Sequence, residues 1–223
     1  MGRITILFSL IFAFSVAAFS QARDEKAEAV VAKAVRWLGG DAYLKVKSQV
    51  GRGKFSIMTD GMISSFQSFT DVIVYPNKER TEFKQSGVKT IQTNSGDSGW
   101  IFDGNGQTIN LQNEDQIDNF KRAMDSNIDN FLRGAWRGRA TLSYVGRREA
   151  SVGTRNDVVR LTYADTEFSI EFEFADDGQP MKSVYKRTNP EGVEVKEEDR
   201  FAQFVLVQGI KTPFIIDHFT GGV

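Results

Sequence analysis

Polar and apolar residues alternate without a fault from Glu167 to Phe174, which predicts a strand with two unlike faces. One face is Phe168, Ile170, Phe172 and Phe174; the other carries Glu167, Glu171 and Glu173. An Asp-Asp-Gly-Gln-Pro turn follows, and Met181 to Arg187 reads as the returning strand of a hairpin. Upstream, Lys47 to Met58 and Met62 to Tyr75 are extended runs joined around Thr59-Asp60-Gly61, a strong hairpin signal. At about 3.3 Å per residue each run approaches ~40 Å, a length that suits a curved or barrel-like sheet better than a sandwich.

Further strands are expected over Lys78–Gln85, Val88–Asn94, Gly99–Phe102 and Gln107–Leu111, separated by turns rich in Gly, Ser, Asn and Asp. After a second helical segment the strands resume at Thr141–Arg148, Asp157–Tyr163, Glu167–Phe174, Lys182–Thr188 and Val193 to about Val207, and a final hairpin runs to Phe219.

Two stretches switch to helical period. Ala27, Val30, Val31, Ala34, Val35 and Leu38 form a stripe that Gly39-Gly40 closes. Ile117, Phe120, Met124, Ile128, Phe131 and Leu132 form a second stripe over 113–133, with Asn113 as cap and Gly134 as stop. It is expected either as a core helix or as a lid over the apolar face of the sheet. Helix, strands, helix, strands describes one α+β domain.

The first 22 residues stand apart. A positive start, an apolar run from Ile4 to Ala18 and Ser20-Gln21-Ala22 make a secretory signal peptide expected to be cut after Ala22, with 23–223 as one exported, periplasmic domain. A formal charge of -1 argues against a nucleic-acid binder, and the absence of cysteine excludes disulfides and thiolate chemistry.

Residues suited to catalysis are sparse. The single histidine, His218, stands next to Asp217, but alternation puts the two on opposite faces. Glu197-Glu198-Asp199 reads as a solvated run, and Asp103-Gly104-Asn105-Gly106 lacks most ligands of a calcium loop. No catalytic residue, metal site or cofactor is therefore assigned, and a hydrolase built on His218 ranks last. Arg133, Arg137, Arg139, Arg147 and Arg148 with Trp136 make a local basic cluster, expected as a solvated rim or as a contact for anionic headgroups or an acidic partner.

Aromatics are the stronger signal, with 18 Phe residues. Phe55, Phe66, Phe83, Trp100, Phe102, Phe168, Ile170, Phe172 and Phe174 are the expected lining of a ligand-binding cradle. Ile117, Phe120, Met124 and Phe131 are the expected inner face of its lid. A partly uncovered aromatic face suits acyl chains, at about 0.8 kcal/mol per buried methylene.

Val74-Tyr75-Pro76-Asn77 followed by an extended run, then Ser98-Gly99-Trp100-Ile101-Phe102-Asp103-Gly104, resemble motifs of the periplasmic lipoprotein carriers of the LolA-like family. Leu38-Gly39-Gly40 and Gly209-Ile210-Lys211-Thr212-Pro213-Phe214 are similar to features of broader relatives. The resemblance implies a half-open antiparallel β-barrel of about 11 strands with helices covering its concave face. It also implies lipid or lipoprotein acyl chains as partners, with a transient membrane or envelope-protein contact. The family's arginine before Pro-Asn, which helps hold the lid shut, is replaced here by Tyr75. The competing expectation is a non-catalytic structural or interaction module of the cell envelope, its aromatic face fully packed.

Overall fold

The computed structural model describes residues 24–166, 168–189 and 191–221; the signal-peptide expectation lies outside them. Helix α1 (Glu25–Leu38) and short α2 (Asp41–Lys45) precede six strands: β1 (Ser48–Thr59), β2 (Met62–Val74), β3 (Lys78–Gln85), β4 (Val88–Ser95), β5 (Ser98–Asp103) and β6 (Thr108–Leu111). Helices α3 (Glu114–Ser126) and α4 (Ile128–Leu132) interrupt the series. Six more strands follow: β7 (Ala140–Ser151), β8 (Thr154–Tyr163), β9 (Ser169–Phe174), β10 (Pro180–Thr188), β11 (Glu194–Val207) and β12 (Ile210–Thr220).

Each set of six pairs strictly with its sequence neighbours, giving two antiparallel sheets of six strands, in the orders β1 to β6 and β12 to β7. Expected element positions hold to within a few residues, with two differences. The expected single helix over 113–133 is two, because the Asn127 side chain accepts from the Asn130 N–H and starts a new helix one residue after α3 ends. The short helix α2 is not among the expected elements, and the 12 strands agree with the runs read along the chain, one more than the about 11 that the resemblance implied.

Local chemistry explains the ends. Asn113 and Gln116 form a reciprocal capping box at the start of α3. Asp24 caps α1 through the Lys26 and Ala27 N–H groups, and its second oxygen accepts from the Tyr144 N–H at 2.7 Å, so one carboxylate ties α1 to β7. Asp60 and Gly61, both at positive φ, close the β1–β2 hairpin in the primed geometry that matches strand twist.

The core belongs to the second sheet. Ala27, Val30, Val31, Ala34 and Leu38 of α1, together with Phe131, Leu132 and Trp136, pack on Val159, Leu161, Tyr163, Ile170, Phe172 and Phe174. Phe131 stacks on Phe172 at 4.1 Å between centroids. Burying a large apolar side chain is worth about 1.5–3 kcal/mol, and this packing makes the second sheet the main anchor of α1 and α4.

Candidate functional site: an apolar interior between two sheets

Which face of the first sheet turns inward is settled at β2 and β3. Asp71 and Glu79 lie on one face, and burial pushes both carboxyls up, Glu79 to about 7 with Asp71 as a second cause. Thr81 donates to Asp71 at 2.8 Å, whereas Glu79 has no ion-pair partner among the described residues. Ile73 on that face is buried, and Tyr75, next in the alternation, lies under the Arg133 guanidinium. Glu82 on the opposite face is held low by the Arg80 guanidinium beside it. The face turned to the helices thus carries Phe55, Ile57, Phe69, Ile73 and Phe83.

Arg133 is the junction between this face and the helices. Its guanidinium sits between the rings of Tyr43 and Tyr75, 4.3 Å from each centroid. It donates to the Tyr43 and Val46 carbonyls at 2.6 and 3.0 Å, while the Tyr43 hydroxyl donates to Asp129 at 2.6 Å. Asn130 completes the contact by donating to the Pro76 carbonyl at 2.8 Å. The residue before Pro-Asn is a tyrosine, and the arginine that meets it comes from the end of α4: strand and helix are joined by a cation on a ring rather than by a strand arginine.

Two cavities open beside this junction. One, about 350 Å³, follows the seam between β1 and the β11–β12 hairpin and is lined by Leu38, Val50, Ile128, Leu132, Phe201, Phe204, Val207 and Ile210. The other, about 800 Å³, lies under α3 between the turns of both sheets. Phe120, Met124, Phe131, Trp136 and Phe168 form its apolar side, and Lys121, Arg122, Asp125, Arg139 and Arg187 its polar rim. Both volumes fall in the ~300–1,000 Å³ range of small-molecule sites. Around the seam, Phe55 and Ile57 of β1 and Phe214 and Ile216 of β12 lie on inward faces yet stay open to solvent.

The expected cradle residues separate into three groups. Phe55 and Phe83 share the inner face and touch edge to face at 6.1 Å. Phe66, Trp100 and Phe102 lie on the opposite face, where Phe102 and Trp100 stand in the cross-strand rows of Glu82 and Arg80. Alternation defines two faces of β5 without saying which is inside, so their place in the lining is corrected. Ile170, Phe172 and Phe174, no more than 1% exposed, are filled by α1 and Phe131 and have no room for a guest. Phe168 is half-buried between Tyr163 and Tyr185 at the mouth of the larger cavity.

Of the expected lid residues, Ile117, Phe120, Met124 and Phe131 are all buried. Phe131 is locked into the core, whereas Phe120 and Met124 line the larger cavity. Phe69, Phe201, Phe204, Phe214 and Ile216 were not anticipated as lining. A signal for Phe69 was present in Gly51-x-Gly53: a Cβ on Gly53 would lie 2.9 Å from the Phe69 ring, so only glycine leaves the ring room.

Long-range pairing corrects two further expectations, on the run 197–199 and on the basic cluster, whereas His218 and Asp217 do lie on opposite faces of β12. The run 197–199 is not solvated: Glu197 and Glu198 are buried, Glu197 accepting from Arg187 at 2.6 Å and Thr220 at 2.7 Å. His218 is half-exposed on edge strand β12, and its carboxylate partners come from the next strand, Asp199 at 2.6 Å and Glu197 at 3.0 Å. The bond to Asp199 is the first cause that raises its pKa. The basic cluster is not a free rim, since Arg137 pairs with Glu28, Arg139 with Asp125, Arg147 with Asp176 and Arg148 with Glu171 and Glu173, while Arg133 is half-buried beside Asp129 and Trp136 is buried. Among the described residues no cluster of three or more His, Asp or Glu is arranged to hold a metal, and no helix is long and apolar enough to cross a membrane.

No protein-family model and no curated protein matches the sequence. The geometry does match solved structures. A LolA superfamily protein from Nitrosomonas europaea aligns over 86% of this chain and 84% of its own at a TM-score of 0.53 and 12% identity. The fold is LolA-like. A DUF1329 family protein from Desulfovibrio piger shares this LolA-like architecture, covering 84% of this chain and 83% of its own at a TM-score of 0.55 and 14% identity. The two open six-stranded sheets, with helices between them, are the half-open antiparallel barrel that the family resemblance implied.

Proposed function

We propose that this protein is an exported, non-catalytic binding or carrier protein for lipid acyl chains, including those of lipoproteins, held in the apolar interior between its two sheets. The observation that carries this reading is the set of large apolar side chains left open on inward faces, Phe55 and Ile57 on one side of the seam and Phe214 and Ile216 on the other. Each is roughly half exposed, so leaving it uncovered forgoes about half of the 1.5–3 kcal/mol of full burial, which a guest chain recovers. Beneath them the seam cavity is lined by Phe201, Phe204, Val207 and Ile210. Glu79, whose carboxyl is pushed up to about 7, supports the same reading, because a carboxyl that resists ionising opposite Ile73 marks an inner face poor in water.

The guest space differs from that expected from sequence alone. The Phe172 half of the aromatic surface is closed by the protein's own helices, and the proposed lining is the inner face of the first sheet with the β11–β12 hairpin. The Arg133 junction is proposed as the latch between helices and first sheet. In this reading His218 has no catalytic part: Asp199 and Glu197 hold both of its ring nitrogens.

The test is lipid extraction and mass spectrometry of protein purified from cells, with displacement of a fluorescent fatty acid. Co-purifying lipid and competitive displacement are expected, with both lost in Phe214→Asp and Phe55→Asp at unchanged far-UV circular dichroism. Absence of lipid and of displacement in the unaltered protein would exclude the reading.

A further inference from the structure

The outward faces of the two sheets treat charge in opposite ways. On the second sheet, Arg148, Arg160, Lys182, Lys196 and Arg200 are each paired with Glu171, Glu173 or Glu198, so that face is neutralised internally. On the first sheet, the register brings Arg52, Lys54, Lys78, Arg80, Lys84 and Lys89 to one face with a single carboxylate, Glu82, which bridges Arg80 and Lys89. Lys84 stands directly opposite Lys89, and Ser68 separates Lys84 from Lys54 in the same row. Like charges facing each other across strands are unfavourable in an isolated sheet, so this row is explained by something anionic outside the molecule.

The same face continues into an apolar projection. The β2–β3 ladder ends at Ser68 and Lys84, and beyond it β1 and β2 run on as a two-stranded arm. Phe66 lies on the face of the cations, with the Lys54 ammonium 5.2 Å from its ring centroid. Met58 shares the face by alternation, and the register shift next to it sets Ile63 opposite. Phe66, Met58 and Ile63 are 57%, 63% and 64% exposed, and Met62 at the tip is 70% exposed. A face of six cations with one carboxylate among them, behind a short apolar arm, is the arrangement that binds an interface in which anionic headgroups overlie hydrocarbon.

We propose that the outward face of the first sheet and its β1–β2 arm form a docking surface for a bilayer containing anionic lipid. The arm enters the interface, and Lys54, Lys84 and Lys89 meet the headgroups behind it. Docking here uses the face opposite the guest space and does not depend on the carrier reading: a molecule with a filled interior would dock in the same way.

Vesicle co-sedimentation tests this with the processed protein recovered from cells. Vesicles of phosphatidylcholine alone are compared with vesicles containing roughly a third phosphatidylglycerol, at low and high salt. Binding is expected only to the anionic vesicles and should weaken as salt is raised. Replacing Lys54, Lys78 and Lys84 with glutamine should weaken partitioning roughly 100-fold, about fivefold per cation. The Arg36, Lys45 and Lys47 glutamine triple variant, which lies off this face, should change partitioning no more than the loss of net charge requires. Phe66→Ser should weaken binding to anionic vesicles even at low salt. Equal binding to both vesicle types, equal losses in the two triple variants, or capture only of an acidic protein would overturn the proposal, while loss of fatty-acid displacement alone would not touch it.

Discussion

Glu79→Gln is the perturbation whose size follows most directly from the structure. Glu79 sits half-buried on the inner face of β3, with Asp71 nearby on β2, and its carboxyl is pushed from an ordinary 4.5 to about 7. The sign is that of an acid that resists ionising in the fold. Below about pH 4.5 both folded and unfolded chains hold the proton, and Glu79 is neutral to stability. From there to about pH 7 the unfolded chain releases it while the folded chain keeps it, so stability falls as pH rises, and above about pH 7 the penalty is complete at roughly 3 kcal/mol. Glutamine keeps the shape and cannot ionise. At about pH 8.5 the variant should be more stable by up to about 3 kcal/mol, raising the melting temperature by roughly 6–12 °C, whereas at about pH 5 it should gain less than about 1 kcal/mol. Thermal unfolding followed by circular dichroism at the two pH values reads the difference. A gain of equal size at both would show that the Glu79 carboxyl is not desolvated, and the inner face of the first sheet would then be wet rather than apolar.

Phe172→Asp, which puts a charge against Phe131 with no partner, should leave the protein unfolded, whereas Phe214→Asp on the open face should shift the melting temperature only slightly; similar losses of soluble yield would contradict the division into closed and open halves. Arg133→Met removes the donor to the Tyr43 and Val46 carbonyls and leaves Asp129 without its cation, at a cost of about 3–5 kcal/mol, and hydrogen exchange should show faster opening of residues 41–46 than of the α1 core. His218→Ala should destabilise only on the acid side: the raised pKa means the protonated ring stabilises the fold at low pH, and that contribution is lost as pH rises through the folded-state value. Unfolding midpoints of His218→Ala that differ from the unaltered protein equally at acid and alkaline pH would argue against the Asp199 pairing. Gly104→Ala would drive a Cβ into the Lys89 carbonyl, and urea unfolding should report a loss of more than about 1 kcal/mol.

Period and punctuation along the chain were sufficient for its strands and for α1 and α3, but not for short α2 or for the break before α4. Alternation over 167–174 predicted β9 with Ile170, Phe172 and Phe174 on one face, and Asp60-Gly61 and the cap at Asn113 marked turn and helix start where the structure has them. These are local properties, set by side-chain direction and by backbone conformations that few residues adopt. Partners in space were not legible. Whether Phe55 or Trp100 faces inward, whether Glu197 is solvated or buried beside Arg187, and which carboxylates meet His218 depend on register between strands and on where the helices come to rest. The arginine cluster of 133–148, conspicuous in one dimension, is neutralised by residues as distant as Glu28, while Lys54, Lys84 and Lys89 are dispersed in the chain and become neighbours only when β1 to β4 align. A repeat of two defines the faces of a strand, but only long-range pairing decides which face closes on the interior and which meets the outside.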